Sequence, residues 1–306
     1  MVGTSGNVSA RRFSPPGGGD IPEPTADGTW NLAWSNEFDS DTIDTGSWNV
    51  GEFQYGSGGT NNHNSFARED LCYIHDDENW LVLDSEFEGS PRSDHDNTCD
   101  GNDYWDEHGV GAMHTYDKVT FGYDSHDVVM ALIRPADLPE SNTAWWTVAN
   151  VNNGQTWPPE IDMVEFMSDR DDEASINLHM DTGGVCGGSD NPDNGTYTHN
   201  ERVARDFHLI EFEWEPGSHV SYHVDQNHAR TVTDQGVLDG LAACDSPHCM
   251  ILNMGIEDNW SPGDDCSKAQ GSFPPWSERG QVPHGDQWDQ YKTTVEVAYM
   301  AKWTHA

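Results

Sequence analysis

From Trp30 onward the chain alternates apolar and polar residues over short segments that turn residues separate. Residues 210–214 and 220–224 both follow a period of two, which is typical of antiparallel strands with one buried face. The run 128–133 is apolar throughout and indicates a strand buried on both faces, between two sheets. Many short segments of this kind predict an all-β sandwich or barrel with little helix.

Four long polar stretches interrupt these predicted strands: 54–65, 89–108, 181–204 and 257–290. Loops of that length inside a compact domain are usually functional, so we expect them to surround a cleft.

Residues 1–28 have no apolar core and contain a run of proline and glycine at 15–19. This composition predicts a disordered leader or an artificial segment at a mature or recombinant start, and it lacks the apolar centre of a signal peptide. We expect residues 29–306 to form a single catalytic β-sandwich domain, because all-β sandwiches of 200–250 residues or so are common as one unit. No apolar run approaches the roughly 18 residues of a membrane span.

The segment 157–167 sets three carboxylates among apolar residues in what otherwise reads as a buried strand. Alternate side chains of a strand share a face, so Glu160 and Asp162 point the same way and strict alternation turns Glu165 away. A β-bulge at residues 163–164 would place two residues opposite one and re-aim Glu165 onto the face of the other two acids. The pattern then predicts a row of three acids on one face.

Such a row suits glycoside hydrolysis, in which one carboxylate attacks the anomeric carbon and a second donates a proton to the leaving oxygen. The Cα atoms of residues two and four apart in a strand are separated by roughly 7 and 13 Å. Long side chains over a concave sheet can still bring carboxyl groups to the separation of about 5–5.5 Å that retaining enzymes use. Three acids so close cannot ionise independently, so at least one pKa should rise.

The motif Glu-Ile-Asp-Met-Val-Glu resembles the signature of glycoside hydrolase family 16, in the bulged form found in laminarinases, agarases and κ-carrageenases. Segments 34–39, 206–216 and 251–255 also resemble family strands, so the likeness spans about residues 30–303. It implies a β-jelly-roll sandwich of two antiparallel sheets with a concave substrate cleft, and a retaining endo-glycosidase.

By the same resemblance Glu160 is the nucleophile, Asp162 its assisting acid and Glu165 the acid/base.

Four other residues are candidates for binding the sugar chain. Trp146 and Trp157 flank the acid segment, and aromatic faces stack on sugars; Trp145, adjacent to Trp146, must face the other way and is expected in the core. His179 resembles the family histidine that borders the sugar subsites, although a lone strand histidine is more often structural. Asn62 lies in a glycine-rich loop that resembles a family loop over the cleft, where asparagine is also common for conformational reasons.

The chain requires no cofactor on this reading, and its 15 histidines lack zinc-ligand spacing. Glu37 and Glu296 resemble positions near a calcium ion that some family members bind, and oxygen ligands suit calcium. A structural calcium ion is therefore an expectation of the resemblance, although Glu296 replaces the usual aspartate.

The amino-acid composition predicts the kind of solution in which the protein works. Lys and Arg number 14 against 54 Asp and Glu, which gives a formal net charge of −40. Such self-repulsion opposes folding unless salt screens it, so we interpret the chain as a halophile's. An acidic disordered protein is a poor alternative because the chain has 13 Trp, 10 Phe and 9 Tyr. Nucleic acids and anionic membranes would repel this charge.

Six cysteines without paired Cys-x-x-Cys spacing favour disulfides over zinc, and hence a secreted, extracellular protein. Fifteen connectivities are possible, and the sequence does not choose among them. We expect the six to be paired and the protein to be a monomer.

Laminarin-type β-1,3-glucan is the first expectation for the substrate. Asn142 stands where laminarinases usually carry a tryptophan, so red-algal galactans (agarose, porphyran, carrageenan) remain the alternative. A sulfated galactan would favour basic residues in the cleft, for which Arg68, Arg92 and Arg134 are candidates. The rival of another class is a carbohydrate-binding protein without catalysis, which would not need three buried acids. A transglycosylase would share all three acids.

Overall fold

The computed structural model describes residues 21–51, 65–75, 78–87, 98–99, 102–103, 108–136, 141–151, 154–167, 172–199, 203, 206–256 and 294–306. The strands are β1 Trp30–Asn36, β2 Asn49–Val50, β3 Ser65–Ala67, β4 Cys72–Ile74, β5 Leu81–Leu83, β6 Ser85–Phe87, β7 Thr98–Cys99, β8 Asn102–Asp103, β9 His108–Val110, β10 Ala112–His114, β11 Thr120–Phe121, β12 Asp127–Arg134, β13 Ser141–Val151, β14 Gly154–Met167, β15 Glu173–His179, β16 Asp193–Thr198, β17 His208–Glu215, β18 His219–Val224, β19 Asn227–Val232, β20 His248–Ile256 and β21 Val295–His305. A 3₁₀ turn spans Glu69–Leu71, and the helix α1 spans Gln235–Leu241.

Two antiparallel sheets of eight strands pack face to face. One, which we call the acid sheet, has the order β16-β15-β14-β13-β20-β10-β2, with β11 also paired to β20. The other, the opposite sheet, has the order β19-β18-β17-β12-β21-β5-β4, with β1 also paired to β21. The predicted all-β sandwich of two antiparallel sheets is confirmed.

The core lies between the sheets and explains the sequence patterns. Val129 and Ile133 of β12 face this core, where they join Trp145 of the acid sheet, while Met130 and Leu132 face a second apolar cluster on the outer side of the opposite sheet. The apolar run of β12 is thus buried on both faces, as predicted. The alternation along 210–214 differs from a half-exposed strand, because the outward acids of β17 are buried as well.

The single described helix is short and begins at a defined cap. The side chain of Asp234 accepts a hydrogen bond from the backbone N–H of Val237 at 3.2 Å, which satisfies one of the donors that a helix start leaves open. Just past the helix, Cys244 forms a disulfide with Cys186, which fixes the loop after β15.

The expectation that all six cysteines are paired is wrong. Cys72 and Cys249 are buried thiols rather than disulfide partners. They belong to strands β4 and β20 of different sheets, and the Cys72 thiol lies 3.4 Å from the carbonyl oxygen of Ala112. Burial raises the pKa of Cys72 to about 12, so this thiol is protonated and behaves as a small apolar group.

Two predicted boundaries differ from the structure. Ile21 is buried in the outer cluster, and the backbone N–H and hydroxyl of Thr25 each donate to the Glu211 carboxylate at 2.7 Å. Ile21 and Thr25 of the predicted leader therefore pack against the opposite sheet. The predicted loop 181–204 contains the edge strand β16. Within the described residues, no helix has the length and apolar composition needed to cross a membrane.

Candidate active site

The predicted bulge is present in β14. Glu160 and Asp162 pair with His179 and Asn177 of β15, and the register then shifts so that Glu165 pairs with Ser175. On the other side of β14, Val164 and Asp162 pair with the adjacent Trp145 and Trp146, which leaves Met163 as the extra residue.

The bulge changes which residues of β14 face the core and which face outward. Met163 and the following Val164 both lie in the core between the sheets. The side chains of Glu160 and Asp162 alternate with the core residue Ile161, and Glu165 continues on their face after the shift. The three acids therefore share the outer face of the acid sheet, which we call the acid face.

Glu165 is nearly buried and held by a neighbour. Its side chain accepts a hydrogen bond at Oε2 from Nδ2 of Asn177, at 2.8 Å, and the residue is 7% exposed. An amide N–H can only donate, so Oε2 accepts this bond and is not the oxygen that carries a proton.

His179 lies between the other two acids and a fourth carboxylate. Its Nε2 is 3.5 Å from Asp162 Oδ2 and 3.9 Å from Glu160 Oε1. Its Nδ1 is 3.2 Å from Asp190 Oδ1, in the loop after β15. We call Glu160, Asp162 and Glu165 together the acid row. The imidazole of His179 thus lies between this row and the loop that the Cys186–Cys244 disulfide fixes.

The electrostatics of this group are coupled. Burial raises the pKa of Glu160 well above its ordinary range, the Asp162 carboxylate raises it further, and His179 opposes both. Burial alone would lower the pKa of His179, but hydrogen bonds to Asp162 and Asp190 and the charges of Asp162 and Glu160 outweigh it and raise the pKa to about 10. The cluster therefore favours an imidazolium at His179, and Glu160 ionises less readily than an isolated glutamate.

Ligand atoms of Glu160, Asp162 and His179 all lie within 4.8 Å of one another, a spacing that a metal ion could also use. Metal binding requires a neutral imidazole, and the carboxylates around His179 favour its protonated form instead.

The two tryptophans predicted to bind sugar lie on the acid face or beside it. Trp146 pairs with Asp162, and its indole Nε1 donates to Asn253 Oδ1 at 2.7 Å. It is only 5% exposed, whereas its neighbour Trp145 is fully buried in the core, as expected. Trp157 is 39% exposed, and its ring centroid lies 6.1 Å from that of His179. Trp157 is thus the more accessible stacking surface.

The remaining candidates are not brought into the acid row. Asn62 lies outside the described residues. Glu296 forms an ion pair with Arg134 and accepts a hydrogen bond from the Thr294 hydroxyl at 3.2 Å, both away from the acid face. Glu37 follows β1, whose last residue Asn36 pairs with Met300, four residues along β21 from Glu296. The structure therefore does not gather these two acids, and calcium stays a prediction.

Three residues that sequence reasoning missed support the site: Asn177, Asp190 and Asn253. Asn177 could have been found, because it alternates with His179 in β15 and must share its face. Asp190 and Asn253 come from a loop and a distant strand, so only the tertiary structure brings them to His179 and Trp146.

No profile of a known protein family matches the chain. A curated relative, a glucan endo-1,3-β-glucosidase A1 from Niallia circulans, is 23% identical over 244 residues. That alignment covers 76% of this chain and 35% of the relative, so the chain spans about a third of the length of the curated protein it matches.

Solved structures are similar over nearly the whole chain. The catalytic domain of an endo-1,3-β-glucanase (laminarinase) from Thermotoga petrophila has a TM-score of 0.67 at 19% identity and covers 91% of this chain and 99% of its own. An endo-acting O-glycanase structure from work on mucin breakdown by human gut microbiota has a TM-score of 0.68 at 20% identity, covering 93% and 94%. A non-specific endo-β-1,3(4)-glucanase of family 16 has a TM-score of 0.62 at 16% identity, covering 97% and 95%. The likeness that the bulged motif predicts is thus confirmed at the level of the fold: the chain has the β-jelly-roll fold of glycoside hydrolase family 16.

Proposed function

We propose that this protein is a family 16 glycoside hydrolase that cleaves a β-linked glucan internally, with retention of the anomeric configuration. The observation that carries the proposal is the bulge in β14, which puts Glu165 on the same face as Glu160 and Asp162. A binding protein would gain nothing from three nearly buried acids on one face, because burying them is costly unless they are used.

In the proposed reaction Glu165 donates a proton to the glycosidic oxygen as the bond to the anomeric carbon breaks. A carboxylate oxygen of Glu160 forms a bond to that carbon, which gives a covalent glycosyl-enzyme. Glu165, now ionised, takes a proton from a water molecule that attacks the same carbon and releases Glu160. The hydrogen bond from Asn177 holds Glu165 in place through both steps.

The contact between Glu160 and Asp162 has a role in this scheme. Glu160 must be ionised to attack, although its pKa is raised by burial and by Asp162. Asp162 forms a hydrogen bond with Glu160, and the positive His179 beside both offsets the negative charge of the pair. Asp162 therefore assists Glu160 without making a bond to the sugar.

A neutral glucan suits the acid face better than a sulfated galactan. Arg68 forms ion pairs with Asp70 and Glu86, and Arg134 lies on the opposite sheet with Glu296, so neither offers its charge to the acid face. Arg92 lies outside the described residues. The curated relative and several structural neighbours are named as endo-1,3-β-glucanases, which supports laminarin-type β-1,3-glucan as the substrate.

Asn142 favours a substrate whose structure differs in part from that of laminarin. Asn142, which stands where laminarinases usually carry a tryptophan, alternates with Ala144 and Trp146 on the acid face of β13. A polar amide replaces an aromatic stacking surface there. Red-algal galactans therefore belong in the substrate panel beside the β-glucans.

The setting is part of the same proposal: a secreted, monomeric enzyme of a high-salt environment. The charge of −40 supports it, because salt at 1 M shortens the screening length to about 3 Å. Circular dichroism and activity from low salt to several molar KCl test this setting. Full structure and full activity at low salt would refute it.

Two substitutions test the chemistry. Glu160→Ala should remove nearly all hydrolysis while the circular dichroism spectrum stays unchanged. Glu165→Ala should reduce turnover of polysaccharide about 10²–10⁴-fold, yet it should spare aryl glycosides with good leaving groups, and added azide should restore turnover. Glu69→Gln, an exposed acid of the 3₁₀ turn, is the matched control and should leave activity unchanged.

Nuclear magnetic resonance of the first-formed product tests retention independently. A retained anomer is expected. An inverted anomer would mean carboxylates about 6.5–9.5 Å apart with a water between them and would refute the mechanism.

Reducing-end release from β-glucans and red-algal galactans in molar salt identifies the substrate. Binding without release by the wild-type protein would favour the carbohydrate-binding alternative, and products longer than the substrate would favour a transglycosylase.

A further inference from the structure

A second group of metal-ligating side chains lies at the edge of the sandwich, away from the acid row. His199 directly follows β16 of the acid sheet, His208 begins β17 of the opposite sheet, and Asp225 lies in the turn between β18 and β19. One ligand atom from each lies within 4.8 Å of the others. Their side chains are only 8%, 11% and 13% exposed.

The spacing of these atoms fits a small tetrahedral ion. His208 Nδ1 is 2.8 Å from Asp225 Oδ2, and His199 Nδ1 is 3.9 Å from the same oxygen. Bonds of about 2.0–2.1 Å to zinc place tetrahedral ligand atoms roughly 3.3 Å apart. The two observed distances bracket that value, so small side-chain rotations would bring all three atoms into position.

Hydrogen bonds from the neighbouring backbone orient His208 and Asp225, so that the ligand atom of each faces the other. His208 Nε2 lies 2.8 Å from the carbonyl oxygen of Val203, which can only accept, so Nε2 carries the proton. Nδ1 is then the nitrogen that faces Asp225 Oδ2, at 2.8 Å. Because a carboxylate can only accept, Nδ1 donates to it when no ion is bound, and a metal ion between the two would take the place of that proton. Asp225 Oδ1 accepts the backbone N–H of Leu209 at 2.9 Å, which leaves Oδ2 directed at the two histidines. Metal-binding histidines and carboxylates are typically supported in this way.

His199 is not held as a structural histidine usually is. Its Nε2 is buried and has no hydrogen-bond partner within the described part of the chain. Its ring packs edge-on against Tyr197 and His208, at centroid distances of 4.9 and 4.6 Å. Since no hydrogen bond within the described residues fixes the far side of the ring, the ring can rotate to bring Nδ1 towards the other two ligand atoms.

We propose that His199, His208 and Asp225 bind one divalent transition-metal ion, with zinc preferred. Imidazole ligands suit zinc and its neighbours, whereas calcium and magnesium prefer oxygen ligands throughout. A fourth position is left for water or for a further ligand.

The ion would join the edges of the two sheets. At the start of β16, Arg230 of β19 already forms an ion pair with Asp193 and donates from Nη1 to its carbonyl oxygen at 3.1 Å. His199 lies at the other end of β16, next to the β18–β19 turn. A metal ion there would fasten this end as the ion pair fastens the first, and its role is to stabilise the fold.

The test uses the full chain in molar KCl, stripped with EDTA, equilibrated with zinc sulfate and gel-filtered. Retained zinc is measured by mass spectrometry, affinity by competition with a chromogenic chelator, and the unfolding midpoint by calorimetry. We expect one equivalent of zinc, a raised midpoint, and no comparable effect of calcium or magnesium.

Variants assign the site. His199→Gln should weaken zinc binding by about tenfold or more, since even the partners of metal ligands contribute about 10–100-fold. Asp225→Asn should do the same; if it fails to fold, His199→Gln still decides, because His199 makes few hydrogen bonds. His228→Gln, an exposed histidine of β19, controls for surface binding, and His179→Gln controls for the acid row; both should keep the zinc.

Two results would overturn the proposal: a wild-type protein that retains no zinc, or zinc that His199→Gln keeps and His179→Gln loses.

Discussion

Two clusters of histidine and carboxylate in this protein have similar members and opposite electrostatics. In the acid row, burial of His179 acts to lower its pKa, but hydrogen bonds to Asp162 and Asp190 and the charges of Asp162 and Glu160 raise it to about 10. At the sandwich edge, burial and the charge of the neighbouring His208 together lower the pKa of His199 to about 4, against the charges of Asp225 and Asp172.

The difference teaches that burial alone does not decide the state of a histidine. Both rings are largely buried, with side chains 21% and 8% exposed. His179 meets Glu160, Asp162 and Asp190, whereas His199 and His208 share Asp225 at the edge, where the charges of Asp225 and Asp172 do not outweigh the burial of His199. The acid row therefore favours an imidazolium at His179. The edge favours a neutral ring at His199, and a neutral imidazole is the state that binds metals.

The largest expected effect is a loss of activity when Asn177 is replaced. Asn177→Ala removes the 2.8 Å hydrogen bond to Glu165 and should lower kcat/KM on polysaccharide about 10–100-fold, since a hydrogen bond to a charged group contributes about 1.5–3 kcal/mol. Aryl glycosides with good leaving groups should be affected less, because they need little protonation.

Asn227→Ala is the matched control, because this asparagine donates to backbone carbonyls beside the edge cluster. It should leave kcat/KM unchanged. An equal loss on both classes of substrate in Asn177→Ala would contradict a role in positioning Glu165.

A disulfide near the acid row is a second difference from the edge cluster of His199, His208 and Asp225. Cys186–Cys244 fixes the loop beside the acid row, where the N–H of Gly187 donates to the carbonyl oxygen of Pro158 at 2.9 Å. The double variant Cys186→Ser with Cys244→Ser should lose about 2–4 kcal/mol of unfolding free energy. KM should rise as well, because Trp157 loses this support. Urea unfolding and kinetics in molar salt measure both.

Val185→Ser, an exposed change in the same loop, is the control and should alter neither quantity. An unchanged unfolding free energy in the double variant would show that the disulfide does not form.

The raised pKa of His179 predicts a loss of stability at alkaline pH. A group with a raised folded pKa stabilises the fold fully below its unfolded pKa, near 6.5, and loses that contribution as pH rises through the folded value of about 10. His179→Gln should therefore flatten the unfolding free energy between pH 7 and 10 or so, measured by urea titration.

His199→Gln, measured in chelator, should keep the alkaline loss of the wild type. The same loss in His179→Gln would mean that another group causes it.

The smallest expected effect is a shift in the pH profile. Asp162 raises the pKa of Glu160 by its charge and by its hydrogen bond. In Asp162→Asn both causes disappear, so the acid limb of kcat/KM should move to lower pH. Asp225→Asn at the edge should leave that limb in place, and an upward move in Asp162→Asn would contradict the effect of Asp162 on the pKa of Glu160.

The sequence predicted the acid row well because its causes are local. The period of two along β14, a single extra residue and the chemistry of carboxylates suffice to place Glu160, Asp162 and Glu165 on one face. The same reasoning placed Trp145 in the core and Trp146 on the other face. The buried thiols were mispredicted, because cysteine number says nothing about which strands bring two sulfur atoms together.

Local pattern by itself determined the sandwich, the buried β12 and the bulged strand, since side-chain periodicity follows directly from backbone geometry. Only the tertiary structure decided which groups surround each histidine. Asp190 reaches His179 from a loop, and Asp225 reaches His199 across the gap between two sheets. Distances of a few ångströms set these pKa values, and they depend on how the sheets pack, which no stretch of sequence contains.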